Sequence, residues 1–218
     1  GTDALRIALS AMKEKFSWED GAEVIVPAIT FVATANVVIQ TRMTPVFVDV
    51  DSESYNLDPS KIEGKITRKT KAIIPVHLMG LPCDMDPIRE LSDRYQLKML
   101  EDSCETMFAT YKGRKVGSLG HMGAFSTYTA HFLQTGVGGI ITTNDPKLAV
   151  IARSLVNHGR DPIYLNIDDD DHIQDEKQLH EIVKRRFRFV RFGFSARCTE
   201  MEAALGLAQL HEKEKIVM

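Results

Sequence analysis

Short apolar runs, most of them closed by Pro, Asp or Ser, alternate along this chain with longer amphipathic stretches, and few folds other than a parallel sheet of βα units accommodate that pattern. Glu23-Val24-Ile25-Val26-Pro27, Thr44 to Val50, Lys71 to Val76 and Leu97 to Leu100 are too short for buried helices. They are too uniformly apolar for strands with one wet face, so they read as strands covered on both sides. Gly123 to Thr127 and Gly139 to Thr143 add two more. Between them lie helical stretches. Asp3 to Phe16 places Leu5, Ala8, Leu9 and Met12 on one face, Thr30 to Gln40 is apolar, and Leu57 to Ile66 opens on an Asp58-Pro59 start. Asp86-Pro87 opens another that runs to Tyr95, and Asp145 to His158 is closed by Gly159. The pattern predicts an α/β fold, a three-layer α/β/α sandwich with a mostly parallel central sheet.

With 218 residues, the chain suits one large domain over 1–218. It begins at Gly1 without methionine and stops within a helical pattern, which points to a piece of a longer chain. From Arg160 to Arg191 the periodicity fails, so 160–192 is expected to be an irregular charged loop. It holds the acidic run Asp168 to Asp171 and the basic run Lys184-Arg185-Arg186-Phe187-Arg188. The basic run suits solvent, a phosphate-bearing substrate or a second subunit. The acidic run lacks the spacing and loop glycine of a calcium site, and no metal is expected. A net charge of -3 gives no reason to expect nucleic acid, and no apolar stretch approaches the roughly 20 residues that span a bilayer. Cys83, Cys104 and Cys198 are odd in number and widely spaced, which predicts free thiols in a reducing cytoplasm.

Ligands of open parallel sheets bind beyond the carboxyl ends of the strands. Gly1-Thr2-Asp3 opens a helix whose free amides suit a phosphate, and Ser126 at a strand end could add a hydroxyl. Thr and Asp there are equally compatible with simple capping. Asp102 follows a buried strand, where a carboxylate pairs with a protonated ring nitrogen, caps a helix or joins an ion pair. Gly136-Val137-Gly138-Gly139 permits close backbone approach to a ligand or forms a plain turn. Of the remaining histidines, His77, His121 and His158 read as structural or loop residues, and of these only His77, beside a strand end, is placed where it could line the pocket.

Taken together, the blocks GTDALRIAL, EVIVPAITFVATANVV, TPVFVDVD, KAIIPVHLMGLPCDMDPI, EDSCETMFATYKGRKVGSLGHMGAFS, GVGGIITTND and TEMEAALGLAQL resemble the DegT/DnrJ/EryC1/StrS family, the sugar aminotransferase branch of fold-type-I pyridoxal phosphate enzymes, from Gly1 to Gln209. The resemblance implies pyridoxal 5′-phosphate or pyridoxamine 5′-phosphate as cofactor, a nucleotide-linked sugar as substrate, glutamate as amino donor, and a homodimer. It also implies a C-terminal small domain, absent here. It assigns Thr2, Asp3 and Ser126 to the cofactor phosphate, Phe31 to stacking on the ring, Asp102 to the ring nitrogen and Glu105 to the neighbourhood of the ring hydroxyl. At Ser195 the family usually carries an asparagine that reaches the partner subunit's phosphate site, so the serine puts that contact in question.

The departure that matters most is at His131, where the family usually has the lysine that links the cofactor covalently. No lysine occurs between Val116 and Pro146, so a register shift does not supply one. His131 after Ala130, with Glu105 three residues beyond Asp102, resembles the branch of sugar 3-dehydratases. That resemblance implies a noncovalently held pyridoxamine phosphate and a histidine that shuttles protons. An imidazole with an ordinary pKa of about 6.5 suits this better than an amine of about 10.4. The stretch from Asp161 to Ala196 has no cysteine, which argues against the iron–sulfur cluster of related dehydratases. Aminotransferase chemistry, or a catalytically silent relative that binds the cofactor, remains the alternative.

Overall fold

The computed structural model describes residues 1–161 and 171–217. Four βα-type steps lay down most of the sheet. Helix α1 (Thr2–Lys15) precedes β1 (Glu23–Pro27), α2 (Ala33–Gln40), β2 (Thr44–Val48), α3 (Pro59–Ile62), β3 (Thr70–Ile73), α4 (Met85–Arg94) and β4 (Lys98–Asp102). A two-residue hairpin, β5 (Thr110–Tyr111) with β6 (Arg114–Lys115), leads to β7 (Met122–Ser126), β8 (Gly139–Thr142) and α5 (Pro146–Val156). Among the described residues the main sheet has the order β2-β1-β3-β4-β7-β8, parallel except for the antiparallel edge strand β8.

The strands are apolar on both faces because each face supports a core. Side chains alternate across a strand. Val24 and Val26 of β1, Ala72 of β3 with Ile74 just beyond it, and Leu100 of β4 enter one core with Leu5, Ala8, Leu9 and Met12 of α1, Val37 and Val38 of α2, and Leu148 of α5. Ile25, Ile73 and Met99, their immediate neighbours, enter the other with Ile62 of α3 and Met85, Ile88 and Leu91 of α4. The result is the expected three-layer sandwich. Asp58 caps α3 by accepting from the Ser60 N–H, and Asp145 caps α5 by accepting from Lys147 and Leu148, each ahead of a proline at the first turn.

Three boundaries differ from the sequence expectation. The apolar stretch from Thr30 becomes helical only at Ala33, which frees Thr30 and Phe31 to sit in the loop above β1. The stretch Leu57–Ile66 yields one α turn and then a 3₁₀ turn, Glu63–Lys65, around the weak helix former Gly64. The segment 160–192 is not irregular throughout, because Glu176–Arg186 forms helix α6. Its helicity has little hydrophobic period to betray it, since only Ile182 is buried. It rests instead on good helix formers, an Asp175 cap accepting from Lys177 and Gln178, an acid in the first turn and Lys184, Arg185 and Arg186 in the last, where the helix dipole favours them. Asp168, Asp169 and Asp170 lie outside the described residues. Helix α7 (Glu200–His211) and the short α8 (Lys213–Val217) follow, with Met201, Leu205, Leu207 and Leu210 of α7 exposed.

A buried carboxylate braces the loop before β7. Glu101, fully buried, accepts the N–H groups of Gly117 (2.7 Å), Leu119 (2.7 Å) and Gly120 (2.5 Å), and meets His77 Nε2 at 3.1 Å. His77 Nδ1 accepts the Cys83 N–H at 3.0 Å, so the proton of a neutral ring lies on Nε2 and points at Glu101. Gly123 packs against this loop, and a Cβ there would meet Gly117 Cα at 2.5 Å and Gly117 O at 2.6 Å. The obstruction is backbone and cannot rotate away. Gly123→Ala is therefore expected to lower stability by about 1–3 kcal/mol, read as a fall in Tm and in the urea midpoint with an unchanged denaturant slope.

Candidate cofactor site

A cavity of about 800 Å³ opens at the carboxyl ends of β1, β4 and β7, next to the point where the strand order reverses between β2 and β3 around β1. Thr2, Asp3, Phe31, Asp102, Glu105, Ser126 and His131, all seven candidates from the sequence, line it. Residues that are up to 129 positions apart in the chain thus meet in one space because each follows or ends a strand of the same sheet, or opens the helix packed on it.

Asp102 lies at the floor and is only 5% exposed. Its backbone is fixed from both sides: its N–H donates to Pro75 O (2.9 Å) and its carbonyl accepts from the His77 N–H (3.0 Å). Its Oδ2 accepts the Thr34 hydroxyl at 2.8 Å and its Oδ1 accepts the Cys104 N–H at 3.3 Å. Burial pushes the carboxyl above the ordinary carboxylate range, against the opposing pull of the hydrogen bonds from Cys104 and Thr34. A desolvated carboxylate of this kind gains most from a cationic N–H donor that enters the cavity.

The other end suits an anion. The first backbone bond of α1 runs from the Leu5 N–H to Gly1 O at 3.0 Å, so the amides of Thr2, Asp3 and Ala4 precede the helical ladder. The Asp3 carboxylate pairs with Arg6 at 2.6 Å, which leaves the Asp3 backbone amide, not its side chain, as the group for a phosphate. Ser126 Oγ accepts the Tyr128 N–H at 3.2 Å, which keeps its own hydrogen for another acceptor. A Cβ on Gly1 would stand 2.9 Å from Ser126 Cβ and 3.0 Å from Cys104 Sγ, so glycine is what lets the helix start lie against β7.

His131 is half-buried on the connection from β7 to β8, and its N–H donates to Tyr128 O at 2.9 Å. The connection is pinned at its base by Thr135 N–H to Thr127 O (2.9 Å) and by paired Thr127 and Thr135 hydroxyls (2.7 Å). Helix α7 braces it from outside, where Gln209 Oε1 accepts the Gln134 N–H at 2.6 Å. No lysine is among the described residues that line the cavity. Lys147 belongs to the start of α5 and borders a separate hollow with Lys15 and His121.

Glu105 lines the cavity with one oxygen committed, its Oε2 accepting the Met79 N–H at 2.7 Å. His77 is structural, as the sequence reading favoured: it is fully buried against Glu101 and Cys83 and is not among the residues that line the cavity. His121 is structural, with Nδ1 accepting the Met99 N–H at 3.2 Å. Ser195 lines the chain's own cavity and its hydroxyl accepts from Arg197 at 3.2 Å. Thr34 escaped the sequence analysis altogether. A threonine inside an apolar stretch carries no signal of its own, and its partner lies 68 residues away.

Comparison with known proteins identifies the family and the fold. The model of the DegT/DnrJ/EryC1/StrS aminotransferase family matches residues 1–218. GDP-perosamine synthase of Caulobacter vibrioides is 44% identical over 215 residues, covering 99% of this chain and 51% of that protein. An aminotransferase from Psychrobacter cryohalolentis superposes with a TM-score of 0.84 at 40% identity, covering 98% of this chain and 51% of that one. An E. coli GDP-4-keto-6-deoxy-D-mannose-3-dehydratase with bound hydrated pyridoxal phosphate superposes with a TM-score of 0.83 at 29% identity, covering 98% and 55%. The chain spans about half the length of these relatives. Family model, relatives and fold agree, and the chain belongs to the DegT/DnrJ/EryC1/StrS aminotransferase family.

Proposed function

We propose that the chain holds pyridoxamine 5′-phosphate without a covalent link and serves to remove the 3-hydroxyl from a nucleotide-linked 4-keto sugar. The observation that carries this reading is the cavity lining, which presents the His131 imidazole and, among the described residues, no lysine amine. The residues fit the cofactor at both ends. The amides of Thr2, Asp3 and Ala4 with the Ser126 hydroxyl would hold the phosphate, and Asp102, whose carboxyl burial pushes up, would be relieved by a protonated pyridine nitrogen. Phe31, 68% exposed over the cavity, would cover the ring face.

When bound, pyridoxamine phosphate supplies an amine for the 4-keto group and a ring that accepts electrons. His131 would take a proton at the C4′ carbon and give one to the departing 3-hydroxyl, which would leave as water. Asp102 would keep the ring nitrogen protonated. Glu105, with one oxygen held by Met79, keeps the other for the ring hydroxyl. Glutamate would regenerate the amine form. The exposed apolar side chains of α7 suit contact with a second copy in a homodimer.

Transamination is the second reading, favoured by the 44% identity to a GDP-perosamine synthase. Mass spectrometry of the product separates the two, since one outcome gains nitrogen and the other loses oxygen. The noncovalent hold is tested directly by borohydride reduction in the presence of pyridoxal phosphate, followed by intact-mass analysis. Wild type is expected to show no adduct, and His131→Lys an adduct at residue 131. A borohydride-stable adduct on the wild-type chain would overturn the reading.

A further inference from the structure

The hydroxyl of Thr34 is fully buried, lies within hydrogen-bond distance of two oxygens, and plays no part in the proposed elimination. It meets Asp102 Oδ2 at 2.8 Å and Thr30 Oγ1 at 2.8 Å. We propose that Thr34 is a positioning residue for the cofactor ring: its hydroxyl fixes Asp102 Oδ2 so that Oδ1 is the oxygen presented to the ring nitrogen. The proposal rests on the cofactor reading of the cavity.

The order of donors is set by the partners. Thr34 has one hydroxyl hydrogen, and an ionised Asp102 only accepts, so that hydrogen points at Oδ2. Thr34 oxygen then receives the hydrogen of Thr30, which lines the cavity. The two threonines stand four residues apart, Thr30 in the loop that carries Phe31 and Thr34 in the first turn of α2. One hydroxyl chain thus ties the Asp102 carboxylate to the loop that carries Phe31. By contrast, the Asp102 Oδ1 contact with the Cys104 N–H is long, at 3.3 Å, so that oxygen is held less tightly than Oδ2 and is the one better able to turn to a ligand.

The test compares wild type with Thr34→Val, which keeps the shape and loses the hydroxyl, and with Thr34→Ser, which restores it. Carbon-13 NMR of labelled aspartate follows the Asp102 titration in the ligand-free chain. Loss of a hydrogen bond that favours the charged form is expected to move the Asp102 titration upward in Thr34→Val and to leave it near wild type in Thr34→Ser. Fluorescence titration with pyridoxamine 5′-phosphate is expected to show about tenfold weaker binding for Thr34→Val, with a changed pH profile of cofactor absorbance, and recovery in Thr34→Ser. If wild type binds and Thr34→Val matches it in affinity and pH profile, the positioning role is overturned while the cofactor site stands. If wild type itself fails to bind, the cofactor reading falls and takes the proposal with it. An unmoved Asp102 titration in a folded Thr34→Val also overturns it.

Discussion

Replacing His131 with asparagine is expected to lower turnover of a 4-keto nucleotide sugar by about 10²–10⁴-fold, the range for loss of a general acid–base group. Pyridoxamine phosphate binding should change by less than a few-fold. The reason is where the residue sits. His131 lies on a connection whose position is set by Thr127, Thr135 and Gln209 and not by its own ring. The groups proposed for the phosphate and the ring nitrogen, at α1, Ser126 and Asp102, come from other elements. Asparagine preserves polarity and approximate size but takes up no proton near neutrality. Product formation measured by mass spectrometry under saturating cofactor, alongside a fluorescence binding titration, separates the two effects. Undiminished turnover in the variant would remove His131 from the chemistry, and a parallel loss of binding would make it a structural residue instead.

Much of this site was legible before the structure because strand ends are legible. Apolar runs covered on both faces announced β1, β4 and β7, and a parallel sheet must bring the residues at their carboxyl ends to one side. Asp102 and Ser126 were therefore placed by topology and Thr2 and Asp3 by a helix start, whereas Phe31, Glu105 and His131 were assigned only through the family resemblance. His77 read as structural but kept a second possibility open because it also follows a strand, and nothing local says whether a side chain rises into the cavity or turns beneath it. That was decided by Glu101 and the Cys83 amide, 24 and 6 residues away. Helix α6 was missed because it carries almost no buried face, so its caps and charges had no periodicity to accompany them. Thr34 was invisible for the opposite reason: it sits within a well-read apolar stretch, and its role is a contact across the sheet.

Asp102→Asn is expected to act in opposite directions on the empty and the loaded protein. In the empty cavity burial holds the Asp102 carboxyl above its ordinary value of 3.8. Between 3.8 and that raised value the folded chain binds more protons than the unfolded one, so wild-type stability falls as pH rises through this window. Asparagine never ionises and escapes that loss. The ligand-free variant should therefore melt higher than wild type at pH 7, with the advantage shrinking as pH falls towards 3.8. Addition of pyridoxamine phosphate should reverse the order. A buried charge pair that loses one partner costs about 2–5 kcal/mol, or roughly 30- to several-thousand-fold in Kd, so the cofactor should raise the Tm of wild type far more than that of the variant. Thermal denaturation at several pH values, with and without cofactor, reads both effects in one series. A variant that is less stable when empty and is stabilised equally by the cofactor would show that Asp102 is a structural carboxylate and that no ring nitrogen faces it.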